Sequence, residues 1–242
     1  TDAYTTKHGD DVLSSGSEKP AEQDFKGCSV TGPLDTHLWW KETNRKFFME
    51  NISDIMLGLR DFEGAAKSLR YFKQHEGDEF LGITMPVTRE VVKVHWKATS
   101  FVDLESCIAS RYHEVRMAAL LILVQHYKHA PCVDMKGKCV DFYLAHIDNI
   151  DNWDLVDLSC YEILGDWLLD KPRDLLYELA RNGKTIWEQR IGMVSTMALV
   201  RVGECDDTYN IADVFLEKPA PLHDLLQKAA GWLLREAGKR DG

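Results

Sequence analysis

Three stretches of the chain pair a tryptophan with an ionisable residue three or four positions away. The sets are Trp153 with Asp157; Trp187 with Arg190, and Arg201 three turns further on; and Trp232 with Lys228 and Arg235. Residues at this spacing share one face of an α-helix. Stacked side by side, the three faces would form one strip of aromatic and basic side chains with a single carboxylate. Such a strip suits a cleft that binds nucleic acid or phosphate.

Each of these pairs also has a structural explanation. A tryptophan on a helix most often packs into the core, and an arginine three residues away is usually a solvated neighbour. An aspartate near a helix N-terminus often serves the helix dipole. The functional hypothesis therefore depends on the recurrence of the pattern in three segments.

Helical periodicity dominates from about Trp39 onward and predicts the elements that must position these side chains. Apolar residues recur at the i, i+3, i+4 spacing in two stretches, Val115–Leu123 and Leu222–Leu233. No stretch alternates with a period of two between turn signals, so we expect no strands. The sequence predicts an all-α protein.

The spacing of the helices predicts a repeat architecture. Long helices are expected to begin near residues 113, 153, 186 and 221, with a shorter helix before each of the last two. A period of about 33 to 40 residues is typical of stacked helical hairpins in a HEAT/armadillo-like solenoid, whose inner helices line a concave face. Local signals for the helix ends are Thr185 with Glu188 as a capping box, Pro172 and Pro221 in first turns, and Gly183 and Gly238 as C-caps.

Charge and composition limit the possible functions. The net charge of −10 argues against a strongly basic nucleic-acid binder, although net charge does not describe how charge is distributed. Residues 1–35 carry seven acidic and three basic residues and lack apolar periodicity. They predict a flexible polar tail, followed by a domain over residues 36–242.

No segment predicts a membrane or a secreted protein. The longest apolar run, Met117–Val124, has eight residues, and a bilayer requires about 20. The first twenty residues lack the apolar core of a signal peptide. We therefore expect a cytoplasmic protein.

The six cysteines show neither a CxxC pair nor a disulfide framework, which favours reduced thiols. His129, Cys132 and Cys139 come nearest to a zinc site, but a fourth ligand and a recognisable spacing are missing. The sequence therefore predicts no metal.

Four segments carry a family resemblance. The octet Asn152–Ser159, NWDLVDLS, is similar to the central motif of the AlkD-like DNA alkylation repair family, the HEAT-like-repeat DNA glycosylases. Tyr71–Lys73 with Gly77–Ile83 looks like the family's N-terminal signature, and Trp187–Arg190 and Ala230–Glu236 look like its two C-terminal ones. The segments occur in the family's order, and the resemblance covers roughly residues 45–240.

The resemblance implies a cofactor-free, monomeric DNA glycosylase of base excision repair, associated with the nucleoid when on DNA. Its substrates would be cationic N3- and N7-alkylpurines, such as 3-methyladenine and 7-methylguanine, in double-stranded DNA. By motif, the residues at the lesion-bearing nucleotide are Asp157, Trp153 and Trp232. The expected DNA-binding residues are Arg190, Arg235, Trp187, Tyr71, Lys228 and Arg201.

Two other functions stay open at the level of sequence. A non-catalytic relative that binds branched or damaged DNA would fit the same motifs, although the presence of Asp157 favours excision. A helical-repeat scaffold for a protein partner would fit the acidic charge and the repeats, but the tryptophan–aspartate arrangement opposes it.

Overall fold

Helices account for the regular structure in the computed structural model, which describes residues 51–72 and 77–241. In chain order they are α1 (Ile52–Gly58), α2 (Phe62–Tyr71), α3 (Met85–His95), α4 (Phe101–Ile108), α5 (His113–Lys128), α6 (Val133–Ala145), α7 (Trp153–Asp157), α8 (Asp174–Asn182), α9 (Ile186–Val194), α10 (Met197–Arg201), α11 (Asp206–Leu216) and α12 (Asp224–Gly238). A 3₁₀ turn (Ile147–Asn149) precedes α7, and a π-helix (Tyr161–Gly165) follows it.

The prediction of an all-α protein is confirmed over the described ranges. They contain no strand, and one isolated bridge joins Glu79 to Tyr112. No helix in these ranges is long and apolar enough to cross a membrane. The predicted tail at residues 1–35 lies outside the described residues, and the solenoid with its concave face stays a prediction.

The predicted helix starts agree closely with the structure. α5 begins at His113, α7 at Trp153 and α9 at Ile186, while α12 begins three residues later than expected, at Asp224. The helices α8 and α11 precede α9 and α12 as predicted; α11 is shorter than α12, with 11 against 15 residues, but α8 and α9 both have nine. The helix that starts at Trp153 is interrupted, because α7 ends at Asp157 before the π-helix.

The prediction that two prolines occupy first helical turns is wrong. Pro172 precedes Arg173, the N-cap of α8, and Pro221 lies two residues before His223, the N-cap of α12. The ring of His223 accepts a hydrogen bond from the backbone N–H of Leu225, at 3.3 Å. This cap delays the start of α12 to the residue after His223.

The predicted capping box at α9 is half formed. The Thr185 hydroxyl accepts from the Glu188 N–H at 3.1 Å, but the Glu188 carboxylate accepts from the N–H of Lys184. Gly183 is the C-cap of α8 as predicted. Gly238 is instead the last residue of α12, one position before its C-cap.

α5 lies at the centre of the core and packs against α1, α3, α4 and α6. Its predicted apolar stripe is buried, and so are three charged or titratable residues of its first turn, His113, Glu114 and Arg116. Because a buried charge needs a partner, these residues must be paired within the protein. Glu114 accepts from the backbone N–H groups of Leu81 and Gly82, and the side-chain partners of His113 and Arg116 are Asp78, Asp151 and Asp154.

Two glycines allow close contacts around α9. A Cβ on Gly192 would lie 2.7 Å from the Leu176 carbonyl oxygen, so only glycine lets α9 approach α8 this closely. A Cβ on Gly165 would lie 2.3 Å from the carbonyl oxygen of Ser195, in the turn where α9 ends. Because α9 stops there, the prediction that Arg201 continues the face of Arg190 on one helix is wrong.

Candidate active site

A cavity of about 380 Å³ brings together four of the predicted site residues: Tyr71, Trp153, Arg190 and Lys228. The C-terminal end of α2, the N-terminal parts of α7 and α12 and the middle of α9 meet there. Its described lining also includes Phe72, Asn152, Asp224 and Leu225. Two clefts elsewhere are larger, at about 510 and 540 Å³, but neither is lined by a predicted site residue.

Aromatic rings form one wall of this cavity. The indole of Trp153 stacks on Phe72, with ring centroids 5.8 Å apart, and meets the edge of Tyr71 at 6.2 Å. Phe72 in turn stacks on Phe80 at 5.1 Å. The Tyr71 side chain is exposed, whereas Trp153 is half-buried. The wall therefore offers flat apolar surface to a ligand at the mouth of the cavity.

Asp157 is held by Arg190 through two hydrogen bonds. Nε of Arg190 donates to Oδ1 at 2.9 Å and Nη2 donates to Oδ2 at 2.7 Å. Nη1 donates to the carbonyl oxygen of Leu225, so this one guanidinium links α7, α9 and α12. The two side chains are only 16% and 6% exposed. Arg190 lines the cavity, but Nε, Nη1 and Nη2 each donate to a protein atom, and its contact with DNA stays a prediction.

Opposing effects act on the acidity of Asp157. Burial raises its pKa, the hydrogen bonds and charge of Arg190 lower it, and the charge of Asp154 raises it, so that the net shift is upward. Both oxygens accept hydrogen bonds from a permanently charged guanidinium. The side chain is therefore held as a carboxylate in this geometry.

The predicted residues that do not line the cavity are dispersed around the site, and the two cations of α12, one of which lines the cavity, are exposed. Trp187 and Trp232 are half-buried and pack against the core. Lys228 and Arg235 are exposed on α12, and Lys228 pairs with Asp224 at 2.7 Å.

Arg201 lies at a different contact, 3.3 Å from Glu162 and over the ring of Tyr161. The described lining of the cavity does not include Asp157, Trp187, Trp232, Arg201 or Arg235. The expected continuous strip is thus only partly assembled around this cavity.

A buried polar cluster lies directly behind the aromatic wall, and sequence reasoning missed it. Nε2 of His113 is 2.9 Å from Oδ2 of Asp154, and Nδ1 is 3.3 Å from Oδ2 of Asp78. Arg116 donates to Asp78 and, at 2.8 Å, to Asp151. These partners are 35 to 41 residues apart in the chain, so no local pattern could have indicated them.

The carboxylates of this cluster keep His113 protonated. Burial alone would lower the pKa of His113, but the hydrogen bonds and charges of Asp154 and Asp78 outweigh it and raise the pKa to about 9. For Asp78, burial is outweighed by His113 and Arg116, which lower its pKa. His113 and Asp78 are therefore both charged at neutral pH.

Possible metal ligands are scattered in the part of the chain that the structure covers. No three or more His, Cys, Asp or Glu side chains are grouped there to hold a metal ion. Of the residues considered for zinc, Cys132 is exposed and Cys139 is buried in the core.

Comparison with known proteins assigns the family. The sequence profile described as "DNA alkylation repair enzyme" matches residues 55–242, which include every residue of the candidate site. The chain belongs to the DNA alkylation repair enzyme family.

A solved structure supports the same fold for this family member. It is titled a predicted DNA alkylation repair enzyme from Enterococcus faecalis and is 19% identical, with a TM-score of 0.56. The match covers 75% of this chain and 84% of that one. At this identity the likeness shows the fold alone. No curated protein matches the chain.

Proposed function

We propose that this family member is a DNA glycosylase that hydrolyses the N-glycosidic bond of N3- and N7-alkylpurines in double-stranded DNA. One observation carries the proposal. The Asp157 carboxylate is fixed by Arg190 one helical turn from Trp153, beside an aromatic cavity. Membership of a DNA alkylation repair family supplies the class of substrate.

The chemistry of these lesions suits so sparse a site. Alkylation at N3 or N7 leaves the purine cationic, so the base departs as a neutral molecule that takes the electron pair of the broken bond. No strong general acid is required. The barrier lies mainly in the positive charge that develops on the deoxyribose, as in other glycoside hydrolyses.

Asp157 is the residue proposed to stabilise that charge. An ionised carboxylate offers about four lone-pair directions, and Arg190 occupies two of them. The others are available to a water molecule and to the sugar. Water adds to C1′ as the base departs, and its proton passes to the carboxylate or to solvent, which leaves an abasic deoxyribose and the neutral base.

The aromatic wall and α12 are proposed to bind the DNA. Trp153 and Tyr71 offer flat surfaces to the sugar and the cationic base, worth about 0.5–2 kcal/mol each by analogy with cation–π contacts. Trp232 on α12 is proposed to contribute in the same way. Lys228 and Arg235 are exposed seven residues apart on one face of α12 and suit phosphate contacts that fix position without reading sequence.

One contact favours a second candidate function. Because Arg190 donates to both oxygens of Asp157 and also to Leu225, the pair suits a purely structural link between helices. In that case the chain binds alkylated or branched DNA without breaking the glycosidic bond.

Release of free base separates the two candidates. A duplex with a single 7-methylguanine is incubated with the protein, and the supernatant is analysed by mass spectrometry for the free methylated base. We expect 7-methylguanine to be released and unmodified guanine to stay in the duplex. Salt-dependent duplex binding without release would favour the non-catalytic binder, and absence of both would favour a protein scaffold.

A further inference from the structure

We propose that His113 is a positioning residue that holds the α7 segment, and with it Trp153 and Asp157, in place for the proposed excision. The inference rests on the proposed function for its consequence in catalysis. Three features of the structure carry it: the bridge that His113 makes, the packing of its ring, and the balance of charge around it.

The imidazole connects α7 to two other parts of the fold. His113 is the first residue of α5, and its Nε2 bonds the carboxylate of Asp154, which lies between Trp153 and Asp157 on α7. Its Nδ1 faces Asp78, in the segment before α3. With only five residues, α7 has little helical hydrogen bonding of its own. Its orientation must therefore come from contacts of this kind.

Asp78 also reaches the N-cap of α7. Nδ2 of Asn152 lies 3.4 Å from the Asp78 carboxylate, and Oδ1 of Asn152 accepts from the Trp153 N–H at 2.8 Å. His113 and Asn152 thus share Asp78 as a partner. The backbone of Trp153 and the side chain of Asp154 are both tied to the same carboxylate–imidazole pair.

The ring of His113 also supports the aromatic wall from behind. Its centroid lies 4.9 Å from that of Phe72 and 5.1 Å from that of Phe80, and Phe72 stacks on Trp153. A displacement of this imidazole would disturb the wall and α7 together.

The protonated ring of His113 offsets the negative charge of the carboxylates around it. The charged groups that face His113 are Asp154 from α7, Asp78 from the preceding segment and, through Arg116 of its own helix, Asp151. With the imidazolium present, two cations oppose three carboxylates. Without it, Arg116 alone opposes all three. Asp154 then loses its cation, and the repulsion displaces α7 or raises the pKa of Asp157 further, since Asp154 already raises it.

Glu114 provides a matched control for a substitution at His113. The two residues are adjacent on α5 and almost equally buried, at 6% and 3% exposure. The Glu114 carboxylate accepts from the backbone N–H groups of Leu81 and Gly82, both at 2.8 Å, and none of its hydrogen bonds reaches α7. His113→Gln and Glu114→Gln therefore both remove a buried hydrogen-bonding charge, but only the first removes the link to α7.

The first test is single-turnover release of 7-methylguanine by saturating protein, which separates the chemical step from binding. We expect His113→Gln to lower the rate on the order of 10²-fold through misplacement of Asp157. Because the protein is saturating, weaker duplex binding by a disturbed aromatic wall does not contribute to this loss. Glu114→Gln should lower the thermal stability but keep the parental rate. Excision by folded His113→Gln at the parental rate would overturn the positioning role and leave the glycosylase proposal standing.

A second readout does not depend on excision. The indole N–H resonance of Trp153, assigned by its loss in Trp153→Phe, reports the environment of that ring in NMR spectra. We expect the chemical shift of this resonance to change with pH in the parent, with a midpoint at a pH of about 9. In His113→Gln the chemical shift should be independent of pH. A Trp153 resonance that does not titrate in the folded parent would overturn the proposal. A titrating resonance in a parent that releases no base would support the positioning role and reject only the glycosylase.

Discussion

The carboxyl group of Asp157 is subject to two opposing influences, because burial raises its pKa and Arg190 lowers it. A catalytic carboxylate must stay ionised in a site that excludes water, where a charge stabilises a transition state most effectively. Arg190 keeps the buried carboxylate ionised, because its positive charge offsets the cost of burial. Its two hydrogen bonds leave other lone pairs of the carboxylate free. At the scale of residues, the proposed activity depends on this pair.

The pair predicts how the pH dependence of excision changes in Arg190→Gln. Loss of the guanidinium removes the influences that lower the pKa of Asp157, so this pKa rises and the acidic limb of the excision rate moves to higher pH. Single-turnover rates measured across the acidic range give the midpoint. Arg173→Gln is a suitable control, because Arg173 pairs with Glu204 and with Asp207 instead. If the excision rates of Arg190→Gln and the parent fell at the same acidic pH, the proposal that Arg190 keeps Asp157 ionised would be contradicted.

At the scale of elements, α12 divides into a core face and a solvent face. Leu226, Ala229 and Leu233 are buried, whereas Lys228 and Arg235 are exposed. Gly231 lies on the solvent side between these two cations, and a Cβ there would have no neighbour within 4 Å. An interior glycine weakens a helix by about 1 kcal/mol relative to alanine. Since nothing in the described fold requires glycine at this position, close approach of a DNA backbone is its proposed reason.

Gly231→Ala should therefore change stability and binding in opposite directions. The free energy of unfolding should rise by about 0.5–1 kcal/mol, while affinity for duplex DNA falls because the methyl group lies between protein and backbone. Thermal denaturation and a binding titration measure the two effects. Gly137→Ala on α6 is the matched control, because its Cβ would make ordinary contact with Trp167 at 3.6 Å. Unchanged DNA affinity in Gly231→Ala would remove this position from the proposed interface.

Local signals explain which elements could be predicted from the sequence. α7 and α9 follow N-caps, Asn152 and Thr185, whose side chains can be read directly from the chain, and both helix starts were predicted. The ion pair of Asp157 with Arg190 joins residues 33 positions apart. Helical spacing relates residues on one helix only, so the two residues could be selected but not paired.

Other contacts of the site could not be predicted from local spacing. The role of Phe72 in the cavity wall and the contacts of His113 depend on long-range packing. α5 was predicted as an amphipathic helix, but it is buried on nearly all sides because four helices surround it. The apolar stripe contains no information on the charged residues of the first turn, which in the fold are buried and paired.

At the scale of the whole molecule, an acidic chain is proposed to bind a polyanion through a local set of cations. The net charge is −10, so the sum of charges repels DNA, and affinity must come from a face such as that of α12. Binding through phosphates releases counterions and therefore weakens as salt rises. The slope of log Kd against log salt concentration is proportional to the number of phosphate contacts.

Lys228→Gln and Arg235→Gln should each reduce that slope by about one. Affinity should fall to the same extent for alkylated and unmodified duplexes, because phosphate contacts carry no base information. Lys171→Gln provides the control, since this lysine pairs with Asp170 and lies over Trp167 at a different cleft. A parental slope in both α12 variants would show that DNA binds elsewhere.

The buried imidazolium also predicts how the stability of the fold depends on pH. The pKa of His113 is about 9 in the folded protein and about 6.5 for an unperturbed histidine. The stability that the protonated His113 ring adds to the fold is therefore fully present below a pH of about 6.5. It declines above that pH and is lost as the pH passes about 9. Urea denaturation at several pH values should show the difference in unfolding free energy between the parent and His113→Gln narrowing over this range. A difference that stays constant with pH would contradict a protonated His113.

The most direct test of the central claim compares the parent with Asp157→Asn in single-turnover release of 7-methylguanine from a single-lesion duplex. The substitution keeps the size of the side chain and removes its charge. The proposed role predicts a loss of about 10²–10³-fold or more in rate, measured at a temperature where the variant is folded, with duplex affinity close to that of the parent. Thermal stability should fall, because the substitution leaves the buried Arg190 guanidinium without its anion. Release by Asp157→Asn at the parental rate would contradict the assignment of this carboxylate.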